Sequence, residues 1–236
     1  MKKLFDKDEI WFAILWIVIY VISFASADKL SIDIGIPKLI TVIVGLVLSL
    51  ILYSFINKYH LNRYYGLCHF KGKYSWYLYF IPLVIISSVN FWSGLNFDKS
   101  LLEVILYMIS MIFVAFLEEV IFRGLLFKAM AKDGIKLAII VSSLTFGMGH
   151  IINIFLGEAL LETLLQLVYA SAIGFVYTVI FYVSGSIMPC IISHSVVNMT
   201  SILANNVSAM TNVVVAVIQI ILAITYGLYL LKRYEK

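Results

Sequence analysis

The sequence predicts an all-α membrane protein: about eight transmembrane helices in one integral domain over residues 1–236, with both termini cytoplasmic. Three observations predict it. The chain is 63% hydrophobic and only 13% charged, with a mean hydropathy of +1.03; a soluble domain carries roughly 25% charged residues. The apolar residues fall into runs near the ~20 residues that a spanning helix needs. The basic residues gather in the gaps on one side of those runs. The same composition excludes a disordered chain, which needs low hydrophobicity. The net charge of +4 is not a nucleic-acid signal, because the Lys and Arg residues lie where membrane topology requires them.

The runs cover about 10–27, 38–57, 75–94, 101–129, 135–156, 162–183, 186–205 and 210–231. The first reads as a retained span rather than a cleaved leader: Asp6, Asp8 and Glu9 spoil a basic n-region, and FASAD at 24–28 is a weak cleavage site. With the N-terminus inside, the cytoplasmic face receives 13 basic residues, from Lys2 through Arg63 and Lys132 to Lys236. The outer face receives Lys29, Lys38 and Lys99, and only Arg123 lies within a span. The 57–74 stretch is the longest polar one, and its mix of aromatic and basic residues fits a cytoplasmic interface belt. His60 and His69 fall there and read as solvated loop histidines. Cys68 and Cys190 read as free thiols, since two cysteines make no disulfide framework.

The fourth run is long and carries a charged cluster, Glu118, Glu119 and Arg123, in AFLEEVIFRGLLF. Gly124 follows and marks a bend or a close helix approach. Each ionised group at a bilayer centre costs on the order of 2.5–3.5 kcal/mol, so such a cluster is a functional site by default. Glu119 and Arg123 are four apart with Glu first, the better order for a helical ion pair, and they read as mutual support. Glu118 has no basic residue three or four positions away. Desolvation beside a second carboxylate suits it to general-base work; the plainer alternative is a protonated Glu hydrogen-bonded within the bundle.

Two later runs add polar groups. His150 ends FGMGH, with Phe146 one turn earlier on the same face and Gly147 and Gly149 permitting close backbone approach. His194 and Asn198, in HSVVN, are four apart and share a helix face. Both can donate hydrogen bonds, so the pair could hold a developing oxyanion, or simply glue two helices. Cys190 lies on the same stripe, and a Cys–His nucleophile pair has no second activating feature.

Together EEVIFR, FGMGH and HSVVN resemble the EExxxR, FxxxH and HxxxN motifs, in order, of the CPBP (CAAX protease and bacteriocin-processing) family of intramembrane endopeptidases, also called Abi proteins. That family includes prenyl-protein CAAX endopeptidases similar to the eukaryotic Rce1-type enzyme. The resemblance covers about 100–205, which would be the catalytic core, with residues 1–100 adding spans. It implies that Glu118 activates water, that Glu119 and Arg123 support the helix, that His150 orients the water, and that His194 and Asn198 stabilise the oxyanion. Phe146 takes a supporting place as the motif's aromatic residue.

Metal stays open. A catalytic zinc can use two His and one Glu, and Glu118, His150 and His194 could supply them. No HExxH is present, however, so the expectation is metal-independent hydrolysis with no cofactor required. The expected partners are membrane lipid and a membrane-associated peptide or protein substrate, in a plasma membrane, cut near its cytoplasmic side. Two rivals stand beside this reading. One is a bacteriocin-immunity or scaffold protein without proteolysis. The other is a proton-coupled transporter, since Glu and His relays also mark pumps. By helix rise, His150 counts out deeper than Glu118 or His194, so one of these helices must be tilted, broken or differently bounded.

Overall fold

The computed structural model describes residues 1–70, 80–155 and 157–234. Every extended element in it is helical. A short α1 (Lys2–Lys7) leads into α2 (Glu9–Asp33) and α3 (Leu39–Lys58). Then come α4 (Ile81–Ser87), α5 (Leu101–Glu118), α6 (Ile135–Met148), α7 (Leu160–Ser184), α8 (Met188–Thr200) and α9 (Ala209–Tyr234).

Local chemistry sets the boundaries. Asp8 starts α2 by accepting from the backbone N–H groups of Ile10 and Trp11, at 2.9 and 3.0 Å, which satisfies two otherwise orphaned donors. Ser100 starts α5 in the same way through the Glu103 N–H. Gly185, at φ +70°, ends α7 in the left-handed conformation that favours glycine. Lys38 also sits at φ +65°, a rare place for a residue with a side chain. Its ammonium donates to both Asp28 oxygens, at 2.9 and 2.8 Å. That ion pair staples the α2–α3 hairpin.

Among the described residues, six helical stretches are long and apolar enough to cross a membrane: Glu9–Asp33, Leu39–Lys58, Leu101–Met130, Ile135–Phe155, Leu160–Ser184 and Ala209–Tyr234. Each matches an expected run to within a few residues. The other two expected runs differ. The run at 186–205 is a shorter helix, Met188–Leu203, about 24 Å long at 1.5 Å per residue. It is short because Pro189 opens it and the 61–70 loop closes over that end. There Ile187 N–H donates to Gly66 O at 3.0 Å, and Ser186 Oγ donates to Cys68 O at 2.7 Å. The start of the 75–94 run lies outside the described residues; from 81 onward it is only α4 and a 3-10 turn, Val89–Phe91. The count of eight long spans is therefore not what the described residues present.

Two helices are irregular, and both irregularities fall at the polar motifs. The fourth span continues from α5 as a π-helix over Glu119–Phe127 before a last α turn, Lys128–Met130. A π-helix widens the turn and leaves carbonyls without their usual donors. Ser142 on α6 supplies one, donating to Phe122 O at 2.9 Å. The fifth span breaks after Met148 into a 3-10 turn, Gly149–Ile151, before Ile152–Phe155. His150 sits in that break, which resolves the depth conflict that straight helices would face. Of the two glycines here, only Gly147 brings backbones together: a Cβ on it would lie 1.9 Å from Ser171 Oγ and 2.7 Å from Leu167 O, whereas Gly149 faces open space. Gly124 sits within the π-helix, where a Cβ would make only ordinary contacts.

The buried face of α2 is an aromatic stripe at a spacing of four: Phe12, Trp16, Tyr20 and Phe24. This stripe packs on the π-helix. α6 packs on the other side of the same segment, and α8 packs along α5. The charged motif thus lies at the centre of the bundle.

Candidate active site

Glu118 is the last residue of α5 and Glu119 the first of the π-helix; consecutive helical residues point about 100° apart, so the two carboxylates leave the helix in different directions. Glu119 turns into the protein. It is fully buried, and its Oε1 lies 3.1 Å from Arg123 Nη1, also fully buried. The contact is an ion pair without a well-aligned hydrogen bond. The guanidinium rests instead on aromatic faces, 4.1 Å from the Phe146 ring centre and 5.6 Å from that of Tyr177. Desolvated cation–π contacts of this kind are worth about 2 kcal/mol.

His194 joins the two glutamates. Its Nδ1 lies 2.8 Å from Glu119 Oε1, and its Nε2 lies 3.4 Å from Glu118 Oε2. In the tautomer that carries its proton on Nδ1, His194 donates to the Glu119 carboxylate. The ring is wedged between Phe146 and Tyr177, with centroids 5.7 and 5.9 Å away. Phe146 therefore touches Arg123, His194 and His150, whose ring meets it edge-on at 5.7 Å.

Glu118 turns the other way, into a cavity of about 170 Å³. Glu118, His150, Phe122, Phe146 and Tyr20 line one part of it. His150 Nδ1 is buried and has no hydrogen-bond partner among the described residues. The cavity runs on to Asp28 and Lys38 at the α2–α3 turn. Glu118 is about 25 Å along its span from Leu101, with 12 residues from it to Met130. The site is thus central, and its cavity extends away from the end where Lys132 meets Glu9 at 2.8 Å.

The structure brings Glu118, Glu119, Arg123, Phe146 and His194 into one contact network and sets His150 across the cavity from α2. Asn198 stands apart. It is half-buried one turn beyond His194, and neither it nor His194 lines the cavity. Cys190 is buried, with its thiol pointed at Tyr177 O. His60 and His69 are exposed in the loop. Among the described residues no group of three His, Cys, Asp or Glu side chains is placed to hold a metal ion, and both His194 nitrogens face glutamates.

One group was not foreseen. Tyr20, from α2, donates its phenol to Glu118 Oε1 at 2.7 Å. Within the sequence, only its place in a buried aromatic stripe, as the one phenol, could have marked it.

Residues 100–200 match the family described as type II CAAX prenyl endopeptidase Rce1-like. The matched segment is similar to that family. It runs from the Ser100 cap of α5 to Thr200 at the end of α8, and it contains all three motifs. The match concerns this segment alone, and it says nothing for bacteriocin processing. Neither a curated protein nor a solved structure matches the chain.

Proposed function

We propose that this protein is an intramembrane endopeptidase of a plasma membrane, hydrolysing a peptide bond in a membrane-associated peptide or protein, of the CAAX or peptide-precursor type. The observation that carries the reading is the pairing of Glu118 with His150 on one central cavity inside a Rce1-like segment. Glu118 takes a proton from water held between it and His150. The hydroxide attacks the scissile carbonyl carbon, and the carbonyl oxygen becomes an oxyanion. His194 and Asn198 are the donors proposed for it: a carbonyl seated beside Glu118 Oε2 would meet His194 Nε2, with Asn198 one turn on. In a site of low dielectric one such donor is worth about 2.7–4 kcal/mol. Glu118 then returns the proton to the leaving amine. Glu119 and Arg123 hold His194 and the helix in register.

The proposal includes eight crossings with both termini cytoplasmic. The charge bias supports it, and so does the pairing of ends: Glu9 with Lys132 and Gly66 with Ile187 on one side, Asp28 with Lys38 and Leu95 with Ala204 on the other.

The test is cleavage of a panel of prenylated CAAX peptides and peptide precursors by purified protein in lipid. Wild type and Glu118→Ala are compared with and without a strong chelator. Cleavage that is lost in Glu118→Ala and kept under chelation is the expected result. Equal cleavage by both proteins would overturn the role of Glu118. Loss under chelation restored by zinc would replace the water-and-glutamate mechanism.

A further inference from the structure

A glutamate that serves as a base has to be held, and nothing in its own helix holds Glu118. Positions three and four residues away are Val114, Ala115, Ile121 and Phe122, none of which can donate to it from a side chain. Glu119 and Arg123 satisfy each other. His194 Nε2 reaches Oε2 only at 3.4 Å. Among the described residues, the one close contact is the 2.7 Å bond from Tyr20 to Oε1.

Tyr20 is built for that contact. Its side chain is buried at 8% exposure, and its ring lies against Phe24 at 4.7 Å between centroids. A buried phenol finds a partner for its O–H, and Glu118 is the acceptor in reach. Trp16 and Phe24, one turn either side on the same stripe, carry no hydroxyl. The stripe is thus a packing surface with a single polar atom at the height of Glu118.

We infer that Tyr20 is a positioning residue: its phenol clamps Glu118 Oε1, so that Oε2 is the oxygen left to take the proton from water. α2, outside the Rce1-like segment, then completes the site. This inference rests on the proposed role of Glu118. Tyr20 keeps its own proton throughout and forms no bond with the substrate. A charge-assisted hydrogen bond is stronger than a neutral one, and its loss leaves the carboxylate free to rotate away from the attacking water.

The experiment compares full-length wild type, Tyr20→Phe, Trp16→Phe and Glu118→Ala on whichever peptide the wild type cleaves. Tyr20→Phe is expected to lower kcat about 10- to 100-fold with KM within about twofold and an unchanged melting temperature. Trp16→Phe loosens the same stripe without touching Glu118, and it should retain wild-type kcat. Should Tyr20→Phe fail to fold, a site-specific fluorotyrosine at position 20 keeps the packing and alters only donor strength; kcat is then expected to change with KM constant. Wild-type kcat in Tyr20→Phe or the fluorotyrosine protein, with Glu118→Ala inactive, overturns the clamp alone. Matched losses of kcat and melting temperature in Tyr20→Phe and Trp16→Phe would make Tyr20 a packing residue and also overturn it. Full activity in Glu118→Ala overturns the reading beneath it.

Discussion

Removing Arg123 should cost this protein more stability than almost any other single change. Arg123 and Glu119 are both fully buried and 3.1 Å apart, and the guanidinium lies 4.1 Å from the Phe146 ring centre. Arg123→Ala leaves the Glu119 carboxylate with only His194 as a partner. Breaking a buried pair in this way costs about 3–5 kcal/mol, because one charge stays behind uncompensated. For a chain of this size each kcal/mol moves the melting temperature by about 2–4 °C, so a drop on the order of 10 °C is expected in detergent, read by the loss of helical signal on heating. Arg123→Lys keeps the charge but not the planar group that stacks on Phe146, and should fall between. Glu119→Gln combined with Arg123→Met removes both charges while leaving an acceptor for His194 Nδ1; it should recover much of the loss. A melting temperature for Arg123→Ala within about 2 °C of wild type would refute the argument, as would a double variant less stable than the single.

Two further outcomes follow from packing and charge outside that pair. Gly147→Val should destabilise the α6–α7 contact by at least the 1–3 kcal/mol typical of overpacking; Ser171→Ala should rescue it only in part, because Leu167 O, a backbone atom 2.7 Å from the added Cβ, remains. Gly149→Ala, facing open space, should melt with wild type, and the reverse order would refute the assignment. In the 61–70 loop, burial, with nearby Glu9, pushes the Tyr65 phenol up. A raised folded value means that Tyr65 stabilises fully below the ordinary tyrosine value of about 10 and that this contribution is lost as pH climbs beyond it. Thermal stability should therefore fall more steeply above pH ~10 in wild type than in Tyr65→Phe, and equal slopes would count against it.

The long helices were legible because a bilayer imposes length and composition together, and no competing structure satisfies twenty apolar residues as well. The polar motifs were legible for the same reason: Glu118, Glu119 and Arg123 stand out where charge is costly. What could not be read were the departures from a regular helix. Nothing in EVIFRGLLF announces a π-helix; it depends on Ser142, from the next helix, accepting the job of bonding Phe122 O. The break at His150 was implied only as a conflict of depths. The short helix at Met188 hid behind hydropathy, since its first turn is met by the 61–70 loop.

The same limit hides the part of α2 in the site from the sequence. Periodicity marks Tyr20 as core, and it is core: its ring packs on Phe24 and its face meets the π-helix. Only the position of the last atom makes it more, and that position depends on how α2 docks against a helix nearly a hundred residues away. The motifs specify which groups a segment offers. Consecutive helical positions lie about 100° apart, which sends Glu118 toward α2 and the cavity and Glu119 toward Arg123, while His194 stays within reach of both. A carboxylate that serves the cavity and a carboxylate that serves the scaffold are thus adjacent in sequence but divided in role by the turn of the helix between them.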